Sequence, residues 1–459
     1  MTTTTPLNAI CAPAGRQRLR RFVRVIALCQ LCLMVATWPL WFNPDAFPVV
    51  PLTSWAPRSN LADCTSAVLL VAGLVGVLCR PDAMLRFARC SESAGGSAIA
   101  GGSGTGSRLA AGAVLAAGAF LVLTNQHRLQ AWHWFNLTCL LQCLIFPSQT
   151  AIKSVRLTTA AIYLFSGLSR VTSEPATEMT IPIIRALTSA AGLDPWPVSP
   201  AVAFWLSGIL ITGEVLTGLL LLSAAFRRLG TILAVALHLA LLVALGPLGL
   251  NHETAVLIWN VSFLVIVPLM FFRRDAPATG DAPGTRPGRR CGPRERIVTV
   301  MILLLTVGIP LSGLMAIADN WPSWQLYSSR SEVWGLFVRI DAVDQLPVVV
   351  RRYLGQPPPL EDWVPVRLDR WSLAATGSPM YPEDRFQLAV MESVVRGIRD
   401  ELAVRVEIDS PEVPRWWRRK RVTVTGVGEL RALRRDFFLN SECRSEESVQ
   451  ASSRSTTVP

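Results

Sequence analysis

The chain has 459 residues, 51% of them hydrophobic and only 17% charged, with a mean hydropathy of +0.39. Soluble globular proteins carry about a quarter charged residues, so a single soluble globule is excluded. The net charge of +12 rests almost wholly on arginine, because Lys153 and Lys420 are the only lysines.

The apolar residues are gathered into blocks of about 15 to 22, the length a helix needs to cross a ~30 Å hydrocarbon layer. Nine such blocks are expected as spans, at about 22–42, 61–79, 108–124, 132–148, 155–170, 200–223, 229–245, 254–272 and 297–317. Basic residues sort between the connections. With the N-terminus inside, twenty fall on the cytoplasmic side, against four outside, Arg58, Arg128, Arg170 and Arg185. That asymmetry sets the direction under the positive-inside rule. The run Val35-Ala36-Thr37-Trp38 offers no small-x-small cleavage site, so the first block is a retained anchor. The polar joint from Asn125 to Gln130 is expected as a tight re-entry between the third and fourth spans.

The expected fold is therefore a mainly α membrane protein, a polytopic helix bundle of about nine spans with a C-terminal extracytoplasmic α+β domain. Its parts are a basic cytoplasmic N-terminus (1–21), an eight-helix membrane core (22–272), a basic cytoplasmic linker (273–296), a ninth span (297–317), the outer domain (318–443) and a disordered tail (444–459). The Gly/Ser tract 91–107 and the Pro/Gly/Arg stretch 277–293 read as linkers. Beyond Trp321, segments 332–340, 364–371, 402–408 and 421–425 alternate with period two and are expected as strands. A helix is expected over 383–401, with Phe386, Val390, Val394 and Ile398 on one face.

The topology places ten of the fifteen tryptophans at or near the outer interface and the other five in the outer domain. All four histidines, His127, His133, His238 and His252, fall in the outer half or the middle of the membrane region. Satisfied interfacial hydrogen bonds are the ordinary account of such histidines, and no HxxxH or HExxH spacing points to a metal. His127, Arg128, Gln130 and His133 form one candidate ligand-binding group at the outer mouth; Asn251, His252 and Asn260 stand opposite.

One intramembrane pair is more specific. Glu214 and His238 each lie twelve residues from Phe226 in a helical hairpin, so at about 1.5 Å per residue both reach the same depth, roughly 18 Å from the turn. An ionisable residue there is costly and a functional candidate, so these two are the expected proton-handling, catalytic residues. Gly213 and Thr217 beside Glu214 are expected to allow close helix approach. A helix clamp is the structural alternative. The cysteines carry less: Cys29-Gln30-Leu31-Cys32 is a CxxC set within the first span, and Cys139 and Cys143 share a helix face.

The run Tyr163-Leu164-Phe165-Ser166-Gly167-Leu168-Ser169-Arg170, followed by Gly213-Glu214-Val215-Leu216-Thr217-Gly218 and the basic turn Phe226-Arg227-Arg228, resembles the DoxX/MauE-like membrane module over about 155–272. Arg170 stands where a lysine is usual in that family, which keeps the charge and adds Arg170 to the ligand-binding candidates. The resemblance implies a redox-associated bacterial inner-membrane protein linked to quinone or periplasmic thiol chemistry, with a quinone or a periplasmic redox protein as partner. The overall layout, with the outer run Gln126-His127-Arg128-Leu129-Gln130-Ala131-Trp132, also resembles the horizontally transferred transmembrane proteins related to the gamma-carboxylase. That family's activity implies a lysine base, and Lys153, the one lysine of the membrane region, falls on the predicted cytoplasmic side. A non-catalytic scaffold with a partner-binding outer domain is the third reading. The basic excess records orientation and contact with anionic lipid, with no nucleic acid among the expected partners.

Overall fold

Long apolar segments ended by Gly, Pro and polar turns give the helices of this chain. The computed structural model describes residues 8–57, 59–85, 105–171, 177–193, 199–272, 293–326, 328, 331–412 and 418–444. Both expected linkers lie outside these residues except at their final residues, as do Arg58, Trp196 and the tail beyond Arg444. The helices of the first part are α1 (Asn8–Ala36), α2 (Trp38–Phe42), α3 (Asn60–Cys79), α4 (Pro81–Leu85), α5 (Thr105–Thr124), α6 (Ala131–Ile145), α7 (Ser148–Ser169), α8 (Thr177–Ala190), α9 (Pro200–Leu222), α10 (Arg227–Leu245) and α11 (Thr254–Phe271). Helices α12 (Pro293–Leu303) and α13 (Ile309–Leu314) form one rod through a π-helical turn at Leu304–Gly308.

Each of the nine apolar blocks coincides with a helix or a pair of helices. Five described helical segments are long and apolar enough to cross a membrane: α3, 201–222 of α9, α10, α11 and the rod over 296–314. Large apolar side chains such as Leu69, Ile209, Leu219, Ile232 and Leu304 stand exposed on these five, a surface that hydrocarbon would cover. The others differ for physical reasons. Helix α6 spans 15 residues, about 22 Å of rise. Helix α7 is buried on nearly every side, so its Thr, Ser, Gln142-bonded Thr158 and Arg156 face protein. Helix α1 starts at Asn8, well before the block at 22, and already buries Leu19 completely. It stops where Thr37 bonds back to the Leu33 carbonyl (2.7 Å) and α2 restarts.

Helix α8 was not expected. Its Ile183 and Ala186 pack on Ala244 and Leu245 of α10. The main helix pairings are α7 with α9, α3 with α5, α10 with α11, α1 with α11, and α9 with α10. The polar joint is a tight 3-10 turn over Gln126–Arg128 in which Asn125 Oδ1 accepts from the His127 N–H (3.0 Å).

The C-terminal part is an antiparallel sheet of order β2-β1-β3-β4, with β1 (Val333–Arg339), β2 (Trp363–Val366), β3 (Val404–Pro411) and β4 (Arg419–Thr425). Leu336 pairs with Val366 on one side and Val406 on the other, putting alternate apolar residues on one buried face. Helices α14 (Val348–Arg351), α15 (Leu368–Thr376), α16 (Asp384–Val395) and α17 (Val427–Ala432) complete it, and Phe386, Val390 and Val394 of α16 fill its core. Two expectations are corrected: the strand expected to Trp371 ends at Val366, because Leu368 and Trp371 are three apart on one helical face, and the helix expected to Glu401 ends at Val395.

Bundle and sheet domain interlock. Phe47, Val50, Leu129 and Ala131 from the bundle's connections sit in the domain core, and Trp134 and Leu326 pack against both cores.

Candidate functional site

A cleft of about 930 Å³, open mouth included, lies among α7, α8, α9, α10 and α11. Its lining is mostly apolar and aromatic, with a few polar groups at one depth. Tyr163, Ser166 and Arg170 project from one face of α7, Glu214 from α9, His238 from α10, and Asn260 from α11. Spacings of three and four residues put the α7 group on one face.

Two hydrogen-bonded sets converge there. In the first, the Asn260 Nδ2 donates to the Val256 carbonyl (2.8 Å), leaving Oδ1 to face His238 Nδ1 (2.9 Å). The Nδ1 nitrogen therefore carries the hydrogen, and Nε2 accepts from the Tyr163 hydroxyl (2.7 Å). Phe263 packs beside this chain, tilted against the His238 ring (4.9 Å) and edge-on to that of Tyr163 (5.9 Å). In the second set, Arg170 Nη1 donates to Glu214 Oε1 (2.9 Å), while Nη2 donates to Ser166 Oγ (2.9 Å) and Nε and Nη2 reach the Leu326 carbonyl (3.3 Å each). The other Glu214 oxygen, Oε2, is buried without a partner among the described residues.

Glu214 and His238 thus share the cleft but are not bonded to each other. Each has its own partner, Arg170 for the carboxylate and Tyr163 with Asn260 for the imidazole. The close approach of α7 and α9 also differs from expectation. A Cβ at Gly213 would meet open space, whereas one at Gly218 would lie 2.7 Å from Leu164 Cγ and 3.0 Å from the Ala160 carbonyl. Across the contact, a Cβ at Gly167 would lie 2.7 Å from Val215 Cγ2. Tyr163 and Ser166 entered the sequence reading only as part of the run that resembles the DoxX/MauE-like module, not as candidate site residues; their spacing to Arg170 is the signal that locates them.

The remaining candidates lie elsewhere. His127 Nε2 faces the Pro379 carbonyl (3.0 Å) and Ser372 Oγ (3.3 Å), and burial, with Arg128 adding to it, depresses the imidazole to about 4. Gln130 Nε2 donates to the His127 carbonyl (2.8 Å). Arg128 lies within 3.2 Å of Asp63, donates to the Leu40 carbonyl (3.0 Å), and shares Asp63 with Arg444 (2.9 Å). These groups join bundle to domain. His133 is buried deeper, bonded to Gln30 (2.8 Å), which also accepts from Asn136 (2.8 Å). Asn251 is an exposed left-handed turn residue (φ 48°), and His252 Nδ1 accepts from the Glu253 N–H (2.9 Å), so both shape the α10–α11 turn. Cys29 and Cys32 are free in α1. Among the described residues no group of three or more His, Cys, Asp or Glu is placed to hold a metal ion.

Comparison with protein-family models, with curated proteins and with solved structures gives no significant match.

Proposed function

We propose that the chain is a multi-pass protein of the bacterial inner membrane whose α7–α11 cleft receives the head group of a lipid-soluble quinone, in a redox-associated accessory role at the outer face. The observation that carries this reading is Glu214: a carboxylate among membrane-length helices, tied to Arg170 through one oxygen and open through the other, in a mainly apolar cleft. Cavities of about 300–1,000 Å³ with few, convergent polar groups are typical of small-molecule sites.

A bound quinone supplies two-electron, two-proton redox chemistry. The chain's own groups bind and orient it. Arg170 holds one Glu214 oxygen, which leaves Oε2 to accept a hydrogen bond from a hydroxyl placed against it. Tyr163, whose hydroxyl donates to His238 Nε2, and Asn260, which fixes the imidazole tautomer, hold the opposite wall of the cleft in one hydrogen-bonded arrangement against which the head group is oriented. Orientation is part of the same proposal. The α1–α3 connection, the α5–α6 turn and the C-terminus of α7 all pack against the sheet domain or the segment leading to it. The basic-residue asymmetry supports a periplasmic side for that domain, where a redox protein meets it.

A second reading, a non-catalytic scaffold, is favoured by His127, Arg128 and Gln130 being consumed in the joint. Solvent extraction of the purified protein separates the two. Isoprenoid quinone is expected in the extract of the wild type and absent from folded Glu214→Ala and His238→Ala variants. An extract free of isoprenoid, with both variants fully functional in the cell, would leave the scaffold.

A further inference from the structure

A second cavity, about 720 Å³ with its mouth included, lies where the α12–α13 rod meets the sheet domain. The membrane-length segment ends at Leu314, and Leu314 lines this cavity, so the cavity sits where hydrocarbon gives way to head groups. Leu311, Met315 and Ile317 are exposed beside it, which carries an apolar surface up to its edge.

Its polar wall is one-signed. Among the described residues that line it, Glu332, Glu383 and Asp384 carry charge and none is arginine or lysine, in a chain of net charge +12; Arg419 stands at the rim, where its Nη2 donates to the Ser331 carbonyl (3.1 Å) and its Nε to Asp409 (2.9 Å). Arg385, next along α16, is turned to Asp319 (2.8 and 2.5 Å) and Gln126 (2.9 Å). Each carboxylate has one oxygen engaged: Glu383 Oε1 accepts from the Asn320 N–H (2.7 Å), Glu332 Oε2 from Trp334 Nε1 (3.0 Å), and Asp384 Oδ1 from the Arg385 N–H (2.7 Å). The second oxygen of each has no protein partner among the described residues. An independent feature is Gln325, which lines the same cavity, is only 2% exposed, and has an Nε2 without a partner among the described residues.

The carboxylates are not grouped closely enough for a metal ion. A larger cation with several N–H donors spans them, and the Gln325 amide calls for an acceptor on the same ligand. We propose that this cavity binds the head group of an amine-bearing zwitterionic phospholipid, its ammonium donating to Glu332, Glu383 and Asp384 and its phosphodiester accepting from Gln325. Burial above all, with Asp319 adding to it, lifts Glu383 to about 8, and burial also raises Asp384. An ammonium in the cavity offsets that cost.

The full-length protein in mixed micelles with equal amounts of phosphatidylethanolamine and phosphatidylcholine of matched chains, read by intact-complex mass spectrometry, tests this. A trimethylammonium has no N–H, so retention is expected to favour ethanolamine lipid about tenfold, the equivalent of one charge-assisted hydrogen bond. The double variant Glu332→Gln/Asp384→Asn is expected to lose most of that preference. Equal retention of the two lipids by the wild type overturns the proposal without recourse to any variant. Millimolar O-phosphoethanolamine is expected to leave the lipid bound; if it displaces the lipid, the site serves a free amine and the lipid assignment fails.

Discussion

At the scale of single residues, the Arg170–Glu214 pair decides how the cleft is held. Both side chains are largely buried, so removing one partner strands a charge in a poorly solvated place. Arg170→Ala is expected to lower stability by about 3–5 kcal/mol, whereas the double variant Arg170→Met/Glu214→Leu recovers most of the loss. Thermal unfolding in detergent measures both, and a single variant as stable as wild type would show that the pair is not held in the folded protein. Sequence located Glu214 by its depth and His238 by hairpin arithmetic. Depth alone does not choose a partner: Arg170 ends the neighbouring helix α7 and reaches back to the same level, which periodicity along one hairpin cannot reveal.

Two buried groups at the joint give opposite responses to pH. His127 is held at about 4 against an ordinary 6.5, so between those values the unfolded chain takes up a proton that the folded chain refuses, and stability falls as pH drops. Glu383 stands at about 8 against 4.5, so the folded chain keeps a proton that the unfolded chain releases, and stability falls as pH rises through that range. From 4.5 to 6.5 the two oppose each other; from 6.5 to 8 Glu383 acts without His127. Melting temperature in lipid-free detergent is therefore expected to decline from pH 6.5 to 8, and Glu383→Gln to flatten that decline. A slope unchanged in the variant would assign it to other groups.

At the scale of elements, α7 and α9 meet through glycine. Alanine at Gly167 or Gly218 forces backbone and side chains apart, and overpacking of this kind costs about 1–3 kcal/mol. The same substitution at Gly213, which faces open space, is expected to be neutral or slightly stabilising, since alanine is the better helix former. Melting temperatures of the three variants check the assignment, and a Gly213→Ala loss equal to the other two would return the contact to that face. The sequence pattern marked small residues near Glu214 but not which of them faced α7, because Gly213 and Gly218 lie on different sides of the helix. Apolar blocks located the main helices well for the reason that length and hydropathy are local properties. Helix α8 escaped because it is short, carries Pro182 inside it, and buries only a narrow stripe. The end of β2 escaped because Val364-Pro365-Val366 alternates directly into Leu368 and Trp371, where the period changes without a turn residue to mark it.

At the scale of the whole molecule, the bundle and the sheet domain are interlocked through shared cores and buried charges. Residues 47–50 and 129–131 of the bundle complete the domain core, and Gly377 of the domain, with a left-handed φ of 69°, brings its backbone so near that a Cβ would lie 2.8 Å from the Ala36 carbonyl. The joint is centred on Asp63, fully buried and shared by Arg128 and Arg444, which lie 65 and 381 residues away along the chain. None of this was legible in the basic-residue count, where Arg128 registered only as an outer charge and residue 444 as the start of a loose tail. Asp63→Asn leaves two buried guanidinium groups without their shared anion, and a loss of about 3–5 kcal/mol is expected, with the domain freed from the bundle before the bundle itself unfolds. Limited proteolysis on a temperature ramp reads this directly: the wild type is expected to become sensitive at the joint and within the bundle together, and the variant at the joint first. Replacing Arg444 by methionine in the Asp63→Asn background removes one of the stranded charges and should restore part of the loss. If Asp63→Asn keeps a single transition at the wild-type temperature, the interlocked apolar cores hold the two parts together and the buried charges contribute nothing to the joint.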